Sequence, residues 1–215
     1  MTGHAGRLSN ACGHRTRTVL VVNDDTERDA TPDTTPDTSI REPSVTAGEV
    51  EMLLFALDRS RAQFAWKCGG LDAAGLNRSH PPSTMTLGGL LKHVAFVLDY
   101  YTWRDLGGDP PGAPWDTVDL RTDPGWVWRS AADDAPEELY SLWSGAERRF
   151  RATLTGILAN GGVDQPTAFT LSNGESRNLR RLLVDLHDEY ARHVGHADLL
   201  REAVDGLVGE DPPQP

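Results

Sequence analysis

The chain has 215 residues, enough for one domain with a substantial core, and a net charge of −11 with histidines neutral. That acidity argues against a nucleic-acid binder, which carries a basic patch, and against docking on an anionic membrane surface. Two cysteines, Cys12 and Cys68, make neither a disulfide framework nor a CxxC metal spacing, and no apolar run nears the roughly 20 residues that span a bilayer.

No secretory h-region is present either, so the expected location is cytoplasmic and reducing. Residues 24–43, DDTERDATPDTTPDTSIREP, hold seven acidic side chains among Thr and Pro. Such a segment buries too little apolar surface to offset its ordering entropy, so residues 1–43 are expected to be a disordered tail. The texture then changes. Val50, Leu53, Leu54, Leu57 and Phe64 form a stripe at helical spacing, which predicts a first helix over about 46–67, stopped by Gly69-Gly70. A second is expected from Ser83–Thr86 to about residue 106, with Leu87, Leu90, Leu91, Val94 and Leu98 on its apolar face.

Residues 107–135 form a long irregular segment holding Trp115, Trp126 and Trp128. It reads either as the rim of a binding pocket or as a cover over one side of the core. Asp134 and Glu137 have capping-box spacing, with Pro136 in the first turn, and start a third helix whose stripe runs from Leu139 to Ile157. Asn160-Gly161-Gly162 end it. Ser172 and Glu175 have the same capping spacing and predict a fourth helix running to about Gly206. Residues 163–171 allow a short extended piece, but nothing there indicates a sheet. The expected fold is all-α: a four-helix bundle over 44–208, with a long irregular loop between the second and third helices and a short disordered tail at 209–215.

The last helix contains HDEYARHVGHADLLRE, residues 187–202. At about 100° per residue, with Glu189 at zero, His193 falls near 40° and His196 near −20°, whereas His187 falls near 160°. Glu189, His193 and His196 thus share a stripe that follows the apolar one into the bundle. A buried carboxylate is costly unless paired or metal-bound, and side chains at i and i+4 project side by side and can chelate one ion. A third ligand must come from another helix. His93, set among Leu90, Leu91, Val94 and Val97, is the candidate; a hydrogen-bonded core histidine is the alternative.

TLGGLLKHVAFVLDYYTWRDLGG and, farther on, LVDLHDEYARHVGHADLLREAVDG resemble the DinB/YfiT-like four-helix-bundle metalloproteins, most closely the branch of mycothiol transferases and relatives of unknown function. The likeness covers roughly residues 46–207 and includes the opening FALDRSRAQFAWKCGGLDAAGL. It implies a divalent metal held by His93, Glu189 and His193, the His/Glu/His pattern of the mycothiol-dependent maleylpyruvate isomerase type. Many relatives carry Arg-Gly-Gln where this chain has Val194-Gly195-His196. His196 is therefore open to three roles: orienting a ligand, moving a proton, or serving as a fourth ligand. The first is preferred, because metal-bound imidazoles usually need an orienting partner.

Three N/O ligands leave an open position, which belongs to catalysis more than to structure. Zn²⁺ suits the set, with Ni²⁺, Fe²⁺ or Mn²⁺ as alternatives. The resemblance further implies mycothiol or a similar thiol as cosubstrate, added to an electrophilic small molecule or assisting an isomerisation, with His196, the candidate catalytic residue, or a bound water to move protons. Relatives in the superfamily are often homodimers. The alternatives are a non-catalytic metal-binding bundle in stress response or partner binding, and a thiol-independent metal hydrolase on the same scaffold. His187 is expected to hydrogen-bond elsewhere, Tyr100 to line the pocket or pack in the core, and Cys68 to lie away from the chemistry.

Overall fold

The computed structural model describes residues 37–214. It contains six α-helices: α1 (Glu49–Cys68), α2 (Ala73–Leu76), α3 (Leu87–Arg104), α4 (Trp126–Ser130), α5 (Pro136–Gly161) and α6 (Leu179–Asp205). The four long ones form the expected bundle, α3 packing mainly on α5 and α1 on α6, with further contact between α3 and α6. Among the described residues there is no strand; residues 163–178 contribute one isolated bridge, Pro166 to Asn178. No described helix is long and apolar enough to cross a membrane.

The stripes meet as their periodicity requires. Phe64 of α1 lies against Trp143 of α5 and Tyr190 of α6, with ring centroids 5.7 Å apart in both pairs. Leu90, Leu91, Val94 and Leu98 of α3 are buried with them. Cys68 is fully buried, and burial pushes its thiol well above the ordinary range, so it is inert at neutral pH. Cys12 and the tail as far as residue 36 lie outside the described residues. The parts of the two tails that are described, 37–43 and 209–214, touch each other and α1: Ile40 N donates to Gln214 Oε1 at 2.8 Å, and Arg59 pairs with Asp211 at 2.7 Å.

Two helix starts differ from expectation. Before α5, Asp134 is not the cap; it takes Lys92 Nζ at 2.5 Å, and the backbone N–H of Ala135 donates to Glu138 Oε2 at 2.8 Å. The helix therefore begins one residue later, because a buried ammonium has first claim on the carboxylate. Before α6, Asn178 is the cap, accepting from Arg181 N at 2.9 Å. Ser172–Glu175 instead close a tight turn, with Gly174 at φ 85° and Leu171 N donating to Glu175 O at 2.8 Å. α2 went unforeseen: four residues are too few to show a period, although Asp72 caps it by accepting from Gly75 N at 2.8 Å.

The long segment between α3 and α5 is folded onto the bundle. It includes a 3-10 turn at Trp115–Thr117 and the short helix α4. Trp115 Nε1 donates to Asp99 Oδ2 at 2.8 Å, and Arg149 Nε binds the other oxygen at 2.9 Å. Lys92 lies over the Trp126 ring at 4.6 Å.

One buried polar chain crosses the core away from these features. Trp143 Nε1 donates to Tyr190 Oη at 3.1 Å, and Tyr190 Oη donates to Glu147 Oε1. Burial raises the Glu147 carboxyl above its ordinary value, outweighing the Tyr190 hydrogen bond and the charges of Arg61 and Arg151. A raised carboxyl is neutral at no cost below the unfolded-state value and destabilises the fold as pH rises past it. Glu147→Gln, which can still accept from Tyr190, should raise the thermal midpoint at pH 7 by about 2–4 °C and by less near pH 4. Melting curves at the two pH values check this; an equal gain at both contradicts it.

Candidate metal centre

Three side chains converge where α3 faces α6. His93 Nε2 stands 2.8 Å from Glu189 Oε1, and His193 Nε2 stands 3.1 Å from the same oxygen. One ligand atom from each of the three lies within 4.8 Å of the others, the only such group found among the described residues. The helical phase places two of them, since Glu189 and His193 are one turn apart on α6. α3 supplies the third.

Each partner is held from outside. Arg192, one turn along α6, places Nη1 3.5 Å from Glu189 Oε2 and binds Asp188 through Nη2 at 2.7 Å. His196 Nδ1 lies 3.2 Å from His193 Nδ1. The Trp128 ring stacks on His93 with centroids 4.5 Å apart and planes at 21°. Gly89 makes room for that ring: a Cβ there would stand 3.1 Å from Trp128 Cε3. His193 is buried, while His93 and Glu189 keep about a fifth of their side-chain surface, 20% and 21%, so the cluster opens to solvent on one side.

The donor set fits a divalent ion. Zn²⁺ takes His nitrogen and carboxylate oxygen at about 2.0–2.2 Å in a tetrahedron, which puts ligand atoms about 3.4 Å apart; the two Nε2–Oε1 hydrogen bonds of 2.8 and 3.1 Å would have to part by a few tenths of an ångström to admit the ion. The tautomer points the same way. His196 is kept neutral, its imidazole lowered below the ordinary 6.5 by burial and by the charges of His193 and Arg192. If the Nδ1–H of His193 donates to His196 Nδ1, the His193 Nε2 lone pair faces the Glu189 carboxylate with nothing between. Either a second proton or a cation must sit there.

Other residues singled out by sequence lie elsewhere. His187 is half-buried and outside the cluster, as its wheel position requires. Tyr100 accepts from Arg104 Nη1 at 3.0 Å and stacks near Phe96, forming part of an aromatic row along α3. Two neighbours complete the site: Arg192, which the sequence reading does not single out, and Trp128, which it names only as part of a possible rim. Arg192 was legible in principle, three residues after Glu189. Trp128 was not, because only tertiary folding brings it over His93.

A sequence profile of the mycothiol-S-transferase family matches residues 52–206, which takes in all three clustered residues. The chain belongs to that family. No curated protein matches it. Family membership and the His93–Glu189–His193 cluster together support a divalent metal and a thiol cosubstrate.

Without metal, the histidines are what hold Glu189 ionised. Its carboxyl lies well below the ordinary 4.5, through hydrogen bonds from His193 and then His93 that outweigh burial. A lowered carboxyl contributes stability that is complete above the unfolded-state value and lost as pH falls below it. In metal-stripped protein, Glu189→Gln should destabilise at pH 6–7, and the gap to wild type should close as pH falls below about 4.5. Denaturant titrations across that range test this; a gap that stays constant contradicts it.

Proposed function

We propose that the protein is a divalent-metal-dependent S-transferase that joins mycothiol, or a similar low-molecular-weight thiol, to an electrophilic small molecule or uses it to assist an isomerisation. The observation that carries this reading is the convergence of His93, Glu189 and His193 on one point, open on one side, in a chain of the mycothiol-S-transferase family. His93 Nε2, His193 Nε2 and Glu189 hold the ion, with Zn²⁺ as the best match to two imidazoles and a carboxylate. When bound, it supplies a Lewis acid that lowers the pKa of a thiol, so that thiolate is present near neutral pH.

The remaining work belongs to the protein. Arg192 and His196 fix the orientation of Glu189 and His193 through the contacts described above. Trp128 covers the face of His93 and keeps water from it. His196, neutral at pH 7, has one unprotonated ring nitrogen, Nδ1, which can receive a proton from the thiol and return it to the product only when it is released from His193. No cysteine of the described chain serves as nucleophile, because Cys68 is fully enclosed. In this reading the nucleophile is the thiol cosubstrate.

Elemental analysis of purified wild type beside His93→Ala and Glu189→Ala is the direct test. About one metal per chain is expected in wild type, falling below about a tenth in both variants while the helical circular-dichroism signal persists. A wild type that stays metal-free after reconstitution with Zn²⁺, Ni²⁺, Fe²⁺ and Mn²⁺ refutes the centre. Loss of an electrophile should require thiol and disappear in His93→Ala; turnover without thiol would mark a hydrolase instead.

His196 has its own signature. His196→Ala should weaken metal binding about 10- to 100-fold, and His196→Gln, whose amide oxygen can accept from His193 Nδ1–H, should restore much of it. Competition with a chromophoric chelator measures both, and equal affinity in all three proteins would remove His196 from the centre.

A further inference from the structure

Along the same two helices, away from the metal centre, lies a second constellation. Arg104 sits eleven residues after His93 on α3, about 16 Å along the axis, and Asp185 and Arg181 sit four and eight residues before Glu189 on α6, about 6 and 12 Å away. By helical phase Arg104 lies about 20° from His93 and Asp185 about 40° from Glu189, while Arg181 lies about 80° round α6 at the flank of that face. With Phe169, Leu171 and Arg177 these residues line a cavity of about 410 Å³.

Its arginines are built in. Asp105, whose side chain is wholly buried, accepts from Arg104 Nη2 and from Arg177 Nη2, both at 2.8 Å. Arg177 Nη1 reaches Asp185 at 3.1 Å, and Arg181 Nε reaches it at 2.6 Å. Three guanidiniums therefore face two carboxylates, leaving a positive excess in a chain of net charge −11. A cluster serving only the fold would close on itself. Here Arg181 commits only Nε among the described residues and is largely exposed, with Nη1 and Nη2 directed to no protein acceptor. Phe169 and Leu171, both exposed, provide an apolar wall, and the Arg104 guanidinium lies over the Phe169 ring at 4.7 Å.

We propose that this cavity binds the carboxylate end of the electrophilic substrate, with its apolar body against Phe169 and Leu171 and its reactive end directed along α3 and α6 toward His93 and Glu189. The pairing of planar guanidinium with carboxylate gives bidentate recognition, and Asp105 removes the entropy cost of ordering two of the three arginines. The orientation toward the metal rests on the transferase reading above; the binding of an aryl or alkyl carboxylate does not.

The test is made on the full chain with 4-phenylbutyrate and its neutral analogue 4-phenylbutyramide, by isothermal titration calorimetry. Wild type and His93→Ala should both bind the acid at least tenfold more tightly than the amide, showing a site independent of the metal centre. Arg181→Gln, at an exposed position with its helical signal intact, should abolish that preference, and Arg181→Glu should reverse it. Equal affinity for acid and amide, no binding of either at millimolar concentration, or a preference that survives in Arg181→Gln would overturn the proposal. Once turnover is measurable, Arg181→Gln should raise KM for a carboxylated electrophile about tenfold and leave the thiol KM in place. A rise in the thiol KM alone would overturn the assignment to the electrophile. No thiol-dependent turnover in wild type, with the preference for the acid preserved, would instead count against the transferase reading and leave the carboxylate site standing.

Discussion

The contact between His93 and Glu189 is the constraint on which the centre depends. It joins α3 to α6 through a carboxylate oxygen drawn into a bundle otherwise lined by Leu90, Leu91, Leu182 and Leu186. Such an oxygen is costly to desolvate, and the cost is met only if both imidazoles reach it. That requirement fixes the phase of α6, the height of α3 relative to it, and the close approach of α4 at Gly89. A rotation of α3 by one residue, about 100°, would carry His93 away and leave Glu189 only the His193 contact of its own helix. The bundle's register and the assembly of the site are therefore the same condition.

Two carboxylates in this core, Glu147 and Glu189, show how donor chemistry sets protonation. Both lose solvent, yet burial raises the first and hydrogen bonding lowers the second. Glu147 receives a phenol hydroxyl, which favours the ionised carboxyl but too weakly to offset its burial. Glu189 receives two imidazoles, which carry either a proton or an ion to it. The same logic explains the chain's two lysines. Lys67 and Lys92 are both buried, and each ends on an aspartate, Asp198 and Asp134, at 3.0 and 2.5 Å. They tie α1 to α6 and α3 to the start of α5, while arginine supplies the surface pairs.

Much of this was legible in the sequence. The four apolar stripes gave the long helices, and the 100° step separated His187 from Glu189, His193 and His196 before any tertiary structure was considered. What could not be read was whatever depends on competition between partners. Asp134 has cap spacing, but Lys92, far away in sequence, takes it. Ser172 and Glu175 have cap spacing, but Gly174 turns the chain before a helix can start. Local rules describe what a residue can do, and tertiary contacts select among those options. Trp128 is the extreme case: its place on His93 depends on the path of a segment with almost no period.

That segment changes how the site should be pictured. Rim and cover were posed as alternatives for residues 107–135, and the folded chain makes them one structure. Trp115 is held by Asp99 and Trp126 by Lys92, which anchor the segment to α3, and the same anchoring sets Trp128 flat on His93. Asp99 also takes Arg149 of α5, so α3, α5 and the cover meet at one buried carboxylate. The Trp128 wall of the site is thus tied to the bundle through Asp99 and Lys92. Trp128 closes one face of His93, and the fifth of their side-chain surface that His93 and Glu189 keep marks the side that stays open. The path of residues 107–135 is therefore as much a part of the site's architecture as the three clustered side chains are.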